Sequence, residues 1–521
     1  MLTGVRNYKK KNEEYITYFK GLNKSEYKAE GELSNVLNMS SDYFPCLSSR
    51  KKRLVVKEEL NGARATALGS GKKQYWTEGL DFFYDGVKKG TIENAVTSFV
   101  NFNDWVLIFP DKKYYDTTND IFGSLEAEFR SDTATFTTNS IIVEGTDYNN
   151  DPCFLAEDCI KITDSDNRDD GNFKTIILKR VAINLIENTT EFIFADNSFV
   201  EETAENVILR REVPDIDYAV EYQNRVWSCK GDNIYASRLG DCRNFNVFEG
   251  TTLDSWATNT GTLGDFTGVV SMPNRLVFFK ENTIHELYGS VPSTFSLSVT
   301  ASLGCKQGCY RSLAVINNYI YYMSIKGIMR YYSGNPELIS IPLRLSSNIV
   351  KAVAGTDYRK YYISLTDEKD QTSLYVFDTY NLIWLQEEPM KTVEFDTFEG
   401  ELYAITEDKF YKLNVNSEES EEFVKWSFET EEFTEVVHNK KLLSAFSLKA
   451  DIKCQDNLRA YISINNGQWQ RIEFVVDPEY RTYFYYLKPQ RVERCKFKFE
   501  GIGEAKIYSL SREFFVSSKV R

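Results

Sequence analysis

The chain has 521 residues, enough for more than one domain, although a single large all-β unit can absorb several hundred. With 42% hydrophobic and 26% charged residues it is not a wholly disordered chain. A net charge of -14 argues against a protein that grips nucleic acid over a broad basic face, because phosphate binding requires Lys and Arg. Aromatic residues reach 14%, with 33 Tyr and 35 Phe, and such residues fit pleated, half-buried surfaces, so sheet is expected over helix.

The first residues, MLTGVRNYKKKNEEYITYFKG, lack the apolar core of a secretory signal, and no apolar run approaches the length of a membrane span. No membrane anchor is therefore expected. The segment GELSNVLNMSSDYFPCLSSRKKR (31–53) is extended, with Pro45 excluding helix there, and ends in the basic cluster Arg50, Lys51, Lys52 and Arg53. Two roles fit residues 1–60. They could supply a strand that closes a ring by pairing with its last repeat, or an arm that docks on a neighbouring protein with Tyr43 and Phe44 as anchors. GSGKK at Gly69 lacks the spacing of a phosphate-cradling loop and reads as a turn.

From Lys73 a grammar of apolar strand, short polar turn and aromatic strand sets in. It is visible in KQYWTEGLDFFYDG at Lys73 and NDWVLIFPDKKYYDTT at Asn103. It returns in NRVWSCKGDNIYASRLG at Asn224, NRLVFFKENTIHELYGS at Asn274, NNYIYYMSIKGIMRYYSGN at Asn317, YRKYYISLTDEKDQTSLYVFD at Tyr358 and GELYAITEDKFYKLN at Gly400. Strand-bearing repeats at this spacing point to the blades of a β-propeller, because one small blade cannot bury both faces and a stacked ring can. Seven hairpins make six or seven blades the expected count, with the first in residues 61–120 and the rest in 213–418.

The long interval between the second and third hairpins holds further strand patterns, NSIIVEGTD, KTIILKRVAINLI and TEFIFADNSF. Residues 121–212 are therefore expected to form an inserted β domain. Within it DSDNRDDG (164–171) fails the EF-hand template, since Arg168 would occupy a ligand position and no Glu closes the loop. A solvated acidic turn is the simpler reading. After the acidic run NSEESEEF the pattern changes to alternating strands, so residues 419–521 are expected to form a C-terminal β-sandwich-like domain.

Chemistry-bearing residues are sparse. The histidines are His285 and His438, and His285, in the second strand of a hairpin, suits a structural role better than that of a base. The nine cysteines include no CxxC pair, and Cys305 and Cys309 in GCKQGC lack the further ligands of a zinc site. Neither HExxH nor GxSxG occurs. Paired carboxylates could support glycoside hydrolysis, but with 76 acidic residues such pairs carry no information, and the S-x-D-x-G-x-x-W turn of sialidase-like propellers is missing. No enzyme activity, cofactor or metal is expected.

VPDIDYAVEYQNRVWSCKGDNIYASRLGD from Val213, with DFTGVV, FFKENTIHELYGSVPSTF and RSLAVINNYIYYMSIKGIMRYYSG after it, resembles a family of tailed-phage virion proteins described as tail stabilisation proteins. That family is similar to the β-propeller nozzle or hub proteins of phage tails. The resemblance continues in residues 31–53 and in FEGIGEAKIYSLSRE (499–513), and is weakest in the inserted domain and between about 340 and 480. It implies a structural protein of the virion tail, made in the bacterial host cytoplasm and forming a ring, expected to be a homo-hexamer. The ring would extend the DNA channel beneath the portal and tail adaptor and let DNA pass without sequence-specific binding. The resemblance marks Arg225, Trp227, Tyr235, Asp241 and Phe245 as candidate blade or subunit anchors, while Tyr43, Phe44, Pro45 and Arg50 make the candidate docking or ring-closure segment on the residue reading of 31–53. Cys242 stands where the family pattern leads one to expect Pro. A host-glycan-binding module of the tail tip is the alternative function, and a propeller hydrolase the third.

Overall fold

The computed structural model describes residues 9–60, 64–146, 148, 152–163, 176–195, 199–346, 348–416, 420–434, 441–453, 458–477 and 481–516. The all-β expectation holds: 57% of the chain is strand, the described strands pair antiparallel apart from an isolated parallel bridge between Leu22 and Leu33, and the described helical turns are three-residue 3₁₀ segments. Both DSDNRDDG and His438 lie outside the described residues. The chain divides into two compact units, residues 1–68 with 308–521 and residues 69–307.

Among the described residues there are seven four-stranded antiparallel sheets, and the sequence hairpins are their second and third strands. Arg225–Lys230 and Asn233–Ala236, for example, lie between Tyr218–Tyr222 and Trp256–Asn259. The central strands are covered on both faces, so they read as near-continuous apolar runs: Arg275–Phe279 is buried throughout, as is Lys360–Asp367 except for its last residue. Fourth strands such as Val87–Thr91 and Ser296–Ala301 are largely exposed.

In the 69–307 unit successive sheets stack through their side chains. Tyr75 meets Phe99 edge-on at 5.0 Å, Val100 and Leu107 share a core with Val226 and Phe245, and Trp227 and Ile234 share one with Leu276 and Phe278. In the other unit Tyr321 stacks on Tyr361 at 5.3 Å, and Val353 and Tyr362 pack with Phe395 and Leu402.

The inserted segment is a six-stranded sheet running from Ala127–Phe136 to Glu202–Arg211 around a core that includes Phe192 and Leu209. Its expected start at 121 is corrected: Ile121–Ser124 pairs with Lys113–Asp116 as the outer strand of a four-stranded sheet.

Residues 9–60 do not stand apart as an arm. Lys52–Lys57 pairs with Phe410–Val415 and supplies the fourth strand of the sheet begun by Thr392–Phe398. Leu33–Leu37 joins a five-stranded sheet through Lys425–Thr430. Lys9–Ile16 and Leu47–Ser49 both pair with Ala505–Val516 in a seven-stranded sheet, in which Met39–Ser40 pairs with Leu47–Ser49. The stretch expected to fold as a separate domain from 419 to 521 therefore takes strands from the other end of the chain. The two sheets face each other through Phe446, whose ring lies 4.7 Å from Phe497.

Candidate functional site

The loop that follows the Asn233–Ala236 strand is where the family-like residues gather, and its backbone explains its composition. Ser237 N–H donates to the Val226 carbonyl at 2.9 Å and Gly240 N–H to that of Asn224 at 2.8 Å. Gly240 has a φ of 77°, a left-handed value that disfavours a side chain. Arg225 is 1% exposed and donates to the carbonyls of Ser237 at 2.7 Å, Asp254 at 2.5 Å and Thr252 at 2.9 Å. It thereby ties the loop to residues 252–254. Burial lowers the pKa of its guanidinium.

Trp227 and Phe245 are buried, Trp227 against Phe295 with centroids 5.0 Å apart, and Tyr235 packs half-buried beside the core that holds Phe245. These side chains are spent inside the 69–307 unit. Cys242 is also buried there, and burial raises its thiol to about 12, so it is inert as a nucleophile at neutral pH.

Asp241 plays a different part. Its carboxylate accepts from Arg243 N–H at 2.8 Å and from the Asn244 side-chain amide at 2.6 Å. So oriented, Asn244 donates to Asp158 at 3.1 Å and accepts from the backbone of Cys159 at 2.9 Å. Arg243 lies 3.4 Å from the same Asp158 oxygen that Asn244 contacts. Asp158 is fully buried, and its closest charged partner is Arg211, at the end of the last inserted strand. Arg211 also donates to the Leu125 carbonyl at 2.9 Å. Lys112 secures the entry and exit of the insertion by pairing with Glu126 at 2.7 Å and Asp215 at 3.0 Å. The loop is therefore a clamp that fixes the inserted sheet to its neighbours. Asp158, Arg211 and Lys112 have no motif signature, and sequence reasoning missed them.

Beside the clamp lies a cleft of about 560 Å³ within the same unit. Its walls come from the turns at 102–105 and 116–119, from Leu155, Ala156 and Glu157 of the insertion, and from Gly240 to Arg243. A lone Trp and scattered polar residues gave the sequence no signal for it.

In the other unit the N-terminal segment is tied down by polar contacts. Ser41 donates to Asp378 at 2.6 Å, Lys360 donates to Ser40 at 3.0 Å, and Phe19 N–H donates to the Pro45 carbonyl at 3.1 Å. Phe44 meets Tyr18 edge-on at 4.8 Å, and Lys506 lies 4.0 Å above the Tyr43 ring, which remains exposed. Arg50 is buried and donates to Asn38 at 2.9 Å and Glu421 at 2.5 Å. Arg50 lies next to the Lys52–Lys57 strand, and its side-chain partners are Asn38, Glu387, Glu388 and Glu421, not Tyr43 or Phe44. A second cleft of about 650 Å³ near that strand is lined by four carboxylates, Glu58, Glu407, Asp408 and Glu421, together with Arg53 and Lys391 and apolar and neutral polar side chains.

His285 is fully buried, with its Nε2 3.0 Å from the Thr262 hydroxyl. Burial and then the nearby Lys280 ammonium push its pKa down to about 4, so it is neutral at physiological pH. Among the described residues no group of three or more His, Cys, Asp or Glu could hold a metal ion, and no helix is long and apolar enough to cross a membrane.

No protein-family model matches the sequence, and no curated protein matches it. Among solved structures the chain is similar to U3-55K, at 8% identity over 70% of this chain and 98% of that one, with a TM-score of 0.34. It is similar to the mitotic checkpoint complex at 7% identity over 71% and 95%, with a TM-score of 0.31. An exo-beta-1,3-galactanase from Phanerochaete chrysosporium aligns at 8% identity over 56% and 94%, with a TM-score of 0.23.

Proposed function

We propose that this chain is a non-enzymatic structural component of a bacteriophage tail, one subunit of a ring that extends the DNA channel and helps retain or release the genome. Its fold in this reading is a seven-bladed β-propeller with an inserted β domain and a C-terminal sandwich-like domain. The observation that carries the reading is the fate of the family-like residues: Arg225, Trp227, Asp241 and Phe245 are all committed to internal bracing. Such residues build a rigid part rather than a reaction centre. The supply of a fourth strand by Lys52–Lys57 to the sheet of Thr392–Phe398 is the interlocking that a ring of blades requires.

The net charge of -14 suits a conduit wall past which DNA slides, since like charge discourages adhesion. Partners in this reading are further copies of the chain, the portal and tail adaptor, and translocating DNA, and the protein resides in the virion tail. Electron microscopy of the purified protein, alone and mixed with the tail adaptor, tests it. A symmetric ring with a central channel in either sample is expected; single particles in both would overturn the proposal.

A further inference from the structure

The cleft beside the clamp has a built aromatic wall. Trp105 and Tyr114 sit on neighbouring strands and stack nearly parallel, with centroids 4.1 Å apart and an interplanar angle of 7°. Trp105 lines the cleft whereas Tyr114 does not, so the phenol backs the indole. Across this strand pair Trp105 lies directly opposite Asp116. Asp116 is itself held, accepting from Thr118 N–H at 2.9 Å and from the Asn119 side-chain amide at 2.8 Å. An indole restrained in this way loses little freedom when something packs against it.

The polar rim points to the chemistry of the occupant. Asp104 and Glu157 contribute carboxylates, Asn119 an amide and Arg243 a guanidinium, while Leu155 adds an exposed aliphatic lip. Asp104 is anchored by Lys72 at 2.6 Å and by the Thr118 hydroxyl at 2.9 Å, and Glu157 by Arg238 at 3.1 Å. Carboxylates on both sides disfavour a phosphate or an acidic sugar. A flat apolar platform ringed by planar hydrogen-bonding groups matches a neutral sugar, whose C–H face stacks on indole while its hydroxyls meet carboxylate, amide and guanidinium. A volume of about 560 Å³ falls in the range of small-ligand sites.

We infer that this cleft binds a neutral glycan, with Trp105 as the stacking platform and Asp104, Asn119 and Arg243 as hydroxyl partners. The inference stands on the cleft alone and does not rest on ring assembly. A protein that forms rings but binds no sugar, and one that binds sugar but forms no ring, are distinguishable outcomes.

The test uses the full chain with maltotriose, xylotriose and tri-N-acetylchitotriose as probes, followed by saturation-transfer NMR and intrinsic fluorescence. Saturable binding of at least one probe is expected, weakened about tenfold or more by Trp105→Ala. Leu155→Trp, a change at a solvent-exposed position that fills the cleft mouth, is expected to block binding in a protein whose melting temperature is unaltered. Absence of saturable binding to all three probes, or binding that survives in Leu155→Trp at parental affinity, would overturn the inference.

Discussion

The side-chain amide of Asn244 bridges two parts of one unit, donating to Asp158 at 3.1 Å and accepting from the backbone of Cys159 at 2.9 Å. A residue in the loop after a hairpin is thus the joint through which an inserted sheet is held. Because Asp158 is fully buried and shared by Arg211, Arg243 and Asn244, the joint is sensitive to the loss of one carboxylate.

Asp158→Ala leaves the buried Arg211 guanidinium without its counter-charge. A loss of about 3–5 kcal/mol is expected in urea denaturation, with new protease cleavage near the insertion's two connecting segments. Replacing both residues, Asp158→Ala with Arg211→Met, should restore a large part of that loss, because the orphaned charge is gone. A double variant no more stable than Asp158→Ala would argue against the charge as the cause.

Arg225 satisfies the buried carbonyls of Ser237 and Asp254 and the part-buried carbonyl of Thr252. Arg225→Met is expected to cost roughly 2–3 kcal/mol, the scale of buried groups left unpaired. Arg225→Lys should recover little of it, since one ammonium cannot reproduce the span of a guanidinium between residues 237 and 254. Both values follow from chemical denaturation monitored by tryptophan fluorescence.

A chain lacking residues 1–57 loses the strand paired to Phe410–Val415 and the partners of Lys425–Thr430 and Ala505–Val516. Bare sheet edges recruit other chains, so this truncation should be recovered in the insoluble fraction. Co-expression of residues 1–57 as a separate peptide should return part of it to solution. A soluble, cooperatively melting truncation would contradict the pairing.

Glu431 is buried, and burial raises its carboxyl to about 7. A raised folded-state pKa means that the folded chain holds the proton more tightly than the unfolded chain. The resulting stabilisation is present below the ordinary value of 4.5 and lost as pH rises through about 7. Glu431→Gln, which keeps the shape and can still accept a hydrogen bond, should melt higher than the parent at pH 8. The gap should close toward pH 5.

His285 has the opposite sign. Its folded pKa of about 4 lies below the ordinary 6.5, so the unfolded chain takes up a proton that the folded chain refuses as pH falls between those values. Between pH 7 and 5 this linkage removes stability on the order of 2 kcal/mol. His285→Gln should flatten that part of the pH–stability curve, measured by urea midpoints at half-unit intervals. An unchanged slope would show that the imidazole does not control it.

The seven hairpins were legible because their strands are covered on both faces and therefore spell apolar runs, as in RLVFF at Arg275. The outer strands were not, since Ile121–Ser124 is largely exposed and carries little apolar pattern; that is why the insertion was expected to begin six residues early. The role of Leu33–Leu37 was hidden for another reason. Its partner lies near the far end of the chain, and no local pattern records a pairing of that reach. Arg225 and Trp227 stood out through family resemblance, which marks kinship but not contacts. Asp158 belongs to neither repeat grammar nor motif, and Trp105 sits in the Asn103 hairpin with nothing to mark it as lining a cleft; only the fold brings them to the loop at 240–243.

The pairing of Val55 with Tyr411 also sets a schedule for synthesis. Roughly 350 residues separate the two, so at about 5–20 residues per second the early strand spends on the order of 20 to 70 s without its partner on the ribosome. Through that interval the nascent chain carries an unpaired β-segment, and the sequence KRLVVK, with Lys or Arg at both ends, is suited to staying soluble until then. The last four-stranded sheet is therefore completed late in translation, by material made at its start, so folding of this unit cannot finish one sheet at a time behind the ribosome.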